Sequence, residues 1–333
     1  MRDMVESEGT SPPLDERLDQ AREWLERQYS DVGDNWFPIT GDASFRRYFR
    51  VRVEGHSRIV MDAPPDKEHS TAFVDIDSRL RKTGLHAPEI FNHDLEAGFI
   101  LLEDFGDDLY RDIVTAQNFK PFFDEALTAL AVMARDVDPT GLPRYGEDLL
   151  HTELNWYVDL YLGRHLHYTL AHTQRKQWMD FCGELVHAAL ELPQVFVHKD
   201  IHSSNLMQTQ SNSPGILDFQ DALLGPVSYD FISLIWDRYI SWPRPMLEQW
   251  MEQYRLLVEP GMDPKKWIYY CDLMGLQRNI KIVGRFALLY HKHAKPGYIE
   301  MIPRFHQYIL DVLPRYPKFA QVFEWIGSDA CAP

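Results

Sequence analysis

The sequence predicts an α+β chain of two lobes, a small antiparallel sheet followed by a larger and mainly helical part. Three observations carry that prediction. Short β-prone runs, each closed by a turn, occupy residues 36–103. From residue 104 to Val195 the apolar residues recur at helical spacing instead. Beyond Val195 two apolar runs each deliver a carboxylate to their ends, and helical patterning then returns. The change of pattern places one division, giving an N-terminal lobe over 1–103 and a C-terminal lobe over 104–333.

Taken in order, Ser11 and Pro12 supply an N-cap and a first helical position. Leu14, Leu18, Ala21, Leu25 and Tyr29 follow along one face, so a helix leads the chain. Thr40 to Ser44 is a turn opening into Phe49, Val51 and Val53, which alternate with Arg50 and Arg52 as in a half-buried strand. Arg58 to Met61 is the next strand. Thr71 to Lys82 places Phe73, Ile76 and Leu80 at helical spacing and stops at Gly84, with Asp75 and Asp77 assigned to its surface. Ile90-Phe91, a turn at Glu96-Ala97-Gly98, and Phe99 to Leu102 complete the sheet.

In the second part, Phe119 to Val137 is amphipathic, with Phe122, Phe123, Leu127, Leu130 and Val137 inward. Glu153 to Leu170 is a helix dense in aromatic residues. A helix over Ser228 to Tyr239 begins near Asp230, Trp267 to Lys292 is one long helix, and residues 298–313 and 317–326 close the lobe. On the long helix Arg278, Lys281 and Arg285 share one face, and Ile280, Val283 and Ala287 share another. The basic face is assigned to solvent, with oxyanion recognition as the alternative. His165, His167, His172 and His187 are scattered and form no metal-ligand set.

The most informative stretch joins Val195-Phe196-Val197, which runs into Asp200, to Ile216-Leu217, which runs into Asp218. Gln208 to Gly215 between them is polar or turn-forming, so the two runs are expected to pair as a hairpin-like unit and bring Asp200, Asn205 and Asp218 together. Such a set suits phosphoryl transfer. One carboxylate takes the proton of an acceptor hydroxyl, and oxygen ligands hold a hard cation against nucleotide phosphates. A carboxylate, an Asn five positions on and an Asp on a later strand reproduce the order of the protein kinase catalytic loop.

The totals exclude other classes. The chain has 333 residues, 45% hydrophobic, enough to build a core without covalent staples. With 34 basic against 50 acidic residues the formal net charge is -16, which disfavours nucleic acid and anionic membrane as partners and favours small molecules. Cys182, Cys271 and Cys331 are far apart, cannot all pair and cannot build a zinc site, as suits a reducing, cytoplasmic setting. Met1 to Glu8 is mixed in charge, and no apolar run approaches the roughly 18 residues of a membrane span, so neither an export signal nor a span is expected. Oligomeric state is not read from the sequence.

His202 stands where protein kinases usually carry Lys, and His198-x-Asp200-x-His202-x-x-Asn205 resembles the aminoglycoside phosphotransferase and choline kinase group. Leu217 to Ala222, followed by Gly225-Pro226-Val227-Ser228-Tyr229-Asp230, is similar to the bacterial anomeric sugar kinases, which act on the C1 hydroxyl of N-acetylmuramate and N-acetylglucosamine. The resemblance runs from about Trp36 to Tyr308. It implies a two-lobed protein-kinase-like fold, ATP with Mg2+, and a sugar acceptor in cell-wall sugar recycling. It also implies Asp200 as catalytic base, Asn205 and Asp218 as metal ligands, and His198 and Asp230 as supports of the loop. On the nucleotide side it implies Gly41 and Ser44 over the phosphates, and Glu103 and Phe105 beside the adenine. On the acceptor side the candidates are His202, Gln220, Asp221, Asn155 and Trp156, with Arg278 and Lys281 set to meet a carboxylate or the donor phosphates.

One departure stands out. No Lys is present near Met61, where a kinase places the residue that pairs the nucleotide phosphates. That charge is then met by Arg46, Arg47, Arg50 or Lys67, among which the sequence does not choose; Arg47 is carried with the nucleotide set. Three rival readings follow: a kinase of another small alcohol; a hydrolase whose transition metal is held by His198, Asp200 and His202; and a nucleotide-binding module without turnover, motivated by the missing Lys.

Overall fold

The computed structural model describes residues 15–39, 45–68 and 70–333, apart from the side chain of His293. The chain divides into two compact units, Met1–Val74 with Pro88–Asp104, and Asp75–Ala87 with Phe105–Pro333. Where the sequence drew one division after residue 103, the structure groups residues 75–87 with the later unit.

In the first unit, α1 (Glu16–Gln28) starts at Asp15, whose side chain accepts from the Leu18 amide as an N-cap. Ser11, Pro12 and Leu14 lie outside the described residues. Ala21, Trp24 and Leu25 of α1 are buried with Val51, Val60, Phe99 and Leu101 in one apolar cluster. The sheet comprises β1 (Phe37–Ile39), β2 (Arg47–Val53), β3 (His56–Asp62), β4 (Ile90–Asp94) and β5 (Phe99–Glu103), antiparallel in the order β1-β2-β3-β5-β4. Phe49, Val51 and Val53 are buried along β2 while Arg52 is exposed, as the period-two pattern requires. Gly98, at φ +81°, turns β4 into β5, and a Cβ there would lie 2.1 Å from the Ala63 carbonyl oxygen. Beside the position of the absent Lys, Asp62 is fully buried. It accepts from Arg17 Nε and Nη2 at 2.8 and 2.5 Å and from Arg47 Nε and Nη2 at 2.9 and 2.6 Å.

Helix α2 (Ser70–Lys82) ends before Gly84, which has φ +84°. Asp77, assigned above to its surface, is 4% exposed. It lies four residues after Phe73 and three before Leu80, on the face that buries both.

The second unit contains α3 (Tyr110–Ile113), α4 (Phe119–Asp136), α5 (Glu147–Trp156) continuing as a π-helix over Tyr157–His165, and α6 (His172–Glu191). Then come β6 (Gln194–Val197), β7 (Leu206–Met207), β8 (Gly215–Ile216), β9 (Leu223–Pro226), α7 (Tyr229–Ile235), α8 (Arg244–Val258), α9 (Pro264–His293), α10 (Ile302–Val312) and α11 (Ala320–Ile326). Helix α9, 30 residues long, is the post on which α5, α6, α7, α8 and α10 pack. It crosses the end of α5 so closely that a Cβ on Gly284 would lie 2.5 Å from the Trp156 carbonyl carbon. All three cysteines are buried and unpaired. Among the described residues no helix is long and apolar enough to cross a membrane.

The strand pairing corrects one expectation. Val195-Phe196-Val197 does not pair with Ile216-Leu217; β6 pairs with β9, and the hairpin is β7 with β8. The cause is local: residues 198–205 form a loop tied by its own side chains. The chain therefore turns before Leu206, and it is Leu206-Met207 that meets Gly215-Ile216.

Candidate active site

The loop between β6 and β7 is held by a closed set of hydrogen bonds. His198 Nδ1 accepts from the Asp200 amide at 3.3 Å, so its proton sits on Nε2, which donates to the Leu217 carbonyl at 2.9 Å. Asn205 Nδ2 donates to the Asp200 carbonyl at 2.8 Å, and the Asn205 carbonyl accepts from the Leu217 amide at 2.9 Å. These ties bring the two halves together, and Asn205 Nδ2 stands 3.5 Å from Asp218 Oδ2. Asn205 thus links the backbone of Asp200 to the side chain of Asp218, which follows the β7–β8 hairpin.

Two non-glycine residues beside these groups, Lys199 and Asp218, have φ of +82° and +62°. Such backbone is costly for an L residue and needs support. For the loop that holds Lys199, α7 and the residues just after it give that support. Asp230 is buried and accepts from the amides of His198 at 2.6 Å and Lys199 at 2.9 Å, so it binds the loop and not the amides of its own helix. Burial pushes its carboxyl up to about 6. Ser233 Oγ donates to the Ile201 carbonyl, and Asp237 accepts from the Ser203 amide at 2.7 Å.

Asp200 opens onto a cavity of about 380 Å³ whose walls include Trp156, His202, Asp221, Arg278 and Lys281. Burial favours the neutral form of Asp200, but the Lys281 ammonium foremost, with Lys199 adding to it, outweighs that and holds the carboxyl below its usual range. It is therefore ionised at neutral pH. Lys281 donates to the Tyr229 hydroxyl at 2.6 Å and lies 3.9 Å from Glu153. Burial opposes its charge; Tyr229, Glu153 and Asp200 prevail and keep the ammonium. His202 is pushed down to about 3 by burial, with Arg238 adding to the effect, so its ring is neutral.

The basic stripe of α9 therefore corrects the sequence reading. Arg278 is only 6% exposed and Lys281 is half-buried; Arg285 alone of the three is exposed. Arg285 lies over the Trp156 ring at 5.8 Å. Asn155 does not join the cavity wall, because it faces Trp178 and accepts from its Nε1 at 3.1 Å. Gln220 donates to Asp218 Oδ1 at 2.8 Å and orients that carboxylate. Glu153, Tyr229 and Arg238 also line the cavity and were not singled out from sequence. The available signal was a charge on otherwise buried helical turns, as with Glu153 between Leu150 and Leu154.

Of the nucleotide set, Gly41 and Ser44 lie outside the described residues. Arg47 is committed to Asp62 and to Asp15, Nη1 at 2.5 Å from its Oδ2. Among its neighbours, Arg46 pairs with Glu68 at 2.9 Å and Arg50 with Asp104 at 2.7 Å. Glu103 closes β5 and accepts from the Glu89 amide at 3.1 Å. Phe105 meets the His86 ring edge-on at 4.5 Å.

In donor type Asp218 and Asn205 suit a magnesium ion, although it is Asn205 Nδ2 that stands 3.5 Å from Asp218 Oδ2. One carboxylate and one amide oxygen, both hard ligands, are what such an ion takes when phosphates complete its shell. A transition-metal hydrolase does not fit. Nδ1 and Nε2 of His198 both serve the backbone, Nδ1 of His202 accepts from the Ser204 amide, and among the described residues no three His, Cys, Asp or Glu side chains are grouped to hold a metal.

Residues 36–267 match the model of the phosphotransferase enzyme family. A protein of Pseudomonas putida named N-acetylmuramate/N-acetylglucosamine kinase is 39% identical over 332 residues, covering 95% of this chain and 98% of its own. One of the same name from Pseudomonas aeruginosa is 39% identical, covering 94% and 97%. Among solved structures, a choline/ethanolamine kinase family protein from Mesorhizobium loti superposes with a TM-score of 0.62 at 14% identity, covering 92% of this chain and 98% of that one.

Proposed function

The chain belongs to the phosphotransferase enzyme family, and from that premise we propose that it is an ATP-dependent kinase acting on the anomeric hydroxyl of N-acetylmuramate or N-acetylglucosamine. The observation that supports this reading most is Asp200 at the wall of a cavity sized for a small molecule, its backbone carbonyl bonded to Asn205 Nδ2, which stands 3.5 Å from Asp218. The names of the relatives, which match nearly end to end, supply the sugar.

In this mechanism Asp200 accepts a hydrogen bond from the C1 hydroxyl and aims its oxygen at the γ-phosphorus. The new O–P bond forms as the bond to the β-phosphate oxygen breaks, and ADP leaves in line. Because the Asp200 carboxyl is held below its usual range, it is a weak base and takes the proton late, when bonding to phosphorus has made the hydroxyl acidic. Asn205 and Asp218 would hold Mg2+, which when bound neutralises charge on the donor phosphates. His198 and Asp230 keep the loop in register. Glu103 and Phe105, with Gly41 and Ser44, serve the nucleotide. Sugars released from the cell wall would be the source of the acceptor, in a recycling role within the cytoplasm.

An ATP-consumption screen against N-acetylmuramate, N-acetylglucosamine, choline, homoserine and an aminoglycoside tests the proposal. Turnover confined to the two amino sugars is expected. Turnover of choline, homoserine or the aminoglycoside instead would replace it with the small-alcohol reading.

A further inference from the structure

The cavity holds a charge that the protein itself does not answer. Arg278 is 6% exposed, lines the cavity, and has neither Nε nor Nη1 bonded to any partner among the described residues. A buried guanidinium left without acceptors is expensive, and an oxyanion in the cavity offsets that cost. Of the three carboxylates that line the cavity, Asp221 is exposed and the two deeper ones have other work. Glu153 accepts from the Tyr145 hydroxyl and lies beside Lys281, and Asp200 is reserved for the acceptor hydroxyl. Hydroxyls and amides of a neutral sugar need no buried cation; a carboxylate does.

Resting on the kinase reading above, we propose that Arg278 is a specificity-determining residue that pairs with a carboxylate on the acceptor, so that the cavity prefers an amino sugar bearing an acidic side arm to its neutral counterpart. Of the two sugars considered, N-acetylmuramate carries such a group on its lactyl ether and N-acetylglucosamine does not. Lys281, on the same helix face, is already bonded to Tyr229, which leaves Arg278 to read the second charge. Arg suits the task because its planar fork matches a carboxylate.

The test uses the full chain as wild type, Arg278→Met and Arg278→Lys, with initial rates for both sugars and calorimetric binding of each without nucleotide. The wild type is expected to favour N-acetylmuramate. Arg278→Met is expected to lose about 10- to 100-fold in kcat/KM for that sugar, the range of a charge-assisted bond, and to stay within about threefold for N-acetylglucosamine. Arg278→Lys should recover part of the loss. The methyl ester of N-acetylmuramate, offered to the wild type, should show the same deficit, a result independent of how the variants fold. Equal losses for both sugars would assign Arg278 to the phosphoryl group or to the fold and overturn the proposal, as would an ester handled like the acid. If the wild type phosphorylates neither sugar, the kinase reading falls. Calorimetry then decides the present one, which survives only if N-acetylmuramate binds in an Arg278-dependent way.

Discussion

Lys199 and Asp218 hold left-handed backbone without being glycine, at a cost of about 1 to 3 kcal/mol each; the first adjoins Asp200 and the second is itself a group the proposed reaction uses. Asp230 sustains the first by accepting two amides at once. An amide side chain has one oxygen, so Asp230→Asn satisfies only one of them. We expect turnover to fall at least tenfold or so, with nucleotide affinity nearly unchanged, measured by steady-state rates beside calorimetric titration. The charge on Lys281 sets a second expectation. It is the principal group holding the Asp200 carboxyl down, against burial. In Lys281→Met burial acts unopposed by that ammonium, so the acidic limb of the kcat/KM profile should move to higher pH; an unmoved limb would detach Lys281 from Asp200. At this scale the sequence was readable where the chemistry is local. Asp200 and Asn205 lie on one short loop, and Asp218 follows one hairpin later. Arg278 was named as an oxyanion candidate, but its burial was not readable, because the burial of a helical residue depends on what packs opposite.

Helix α9 sets the geometry of the acceptor wall through Gly284, which admits the backbone of Trp156 and Tyr157. A methyl group there must push α9 from α5. Gly284→Ala is expected to cost about 1 to 3 kcal/mol and to raise the acceptor KM more than the nucleotide KM. Helix α10 carries a pH dependence. Burial pushes His306 down to about 4, whereas an unfolded His binds its proton near 6.5. Its contribution to stability is thus whole above pH 6.5 and is lost as pH falls toward 4, amounting to roughly 3 kcal/mol. Asp230, raised to about 6, runs the other way, its contribution present below about 3.8 and lost as pH rises through 6. Urea midpoints between pH 4 and 7 should flatten in His306→Gln, and an unchanged slope would acquit His306. The long elements were legible from periodicity: β2 by alternation and α9 by its apolar face. The partner of β6 was not, since a strand of four residues does not specify which of two later apolar runs it meets. The π-helix was equally hidden, because the Tyr157 to His165 pattern reads as ordinary helix.

Over the whole molecule, an acidic chain of net charge -16 gathers Lys199, Arg238, Arg278, Lys281 and Arg285 around one cavity, where they outnumber Glu153, Asp200 and Asp221, and that contrast with the bulk composition supports the proposal of an anion there. The proposed reaction moves a phosphoryl group onto the anomeric oxygen of an amino sugar, with Asp200 receiving the proton. The most direct measurement follows the reaction of ATP with N-acetylmuramate by phosphorus NMR together with a reducing-end assay, for the wild type and Asp200→Asn. One sugar phosphate per ADP is expected, with the reducing end lost. In the variant the rate should drop by about 10²- to 10⁴-fold while nucleotide still binds. A phosphorylated product that keeps its reducing end, or an Asp200→Asn enzyme turning over at the wild-type rate, would contradict it.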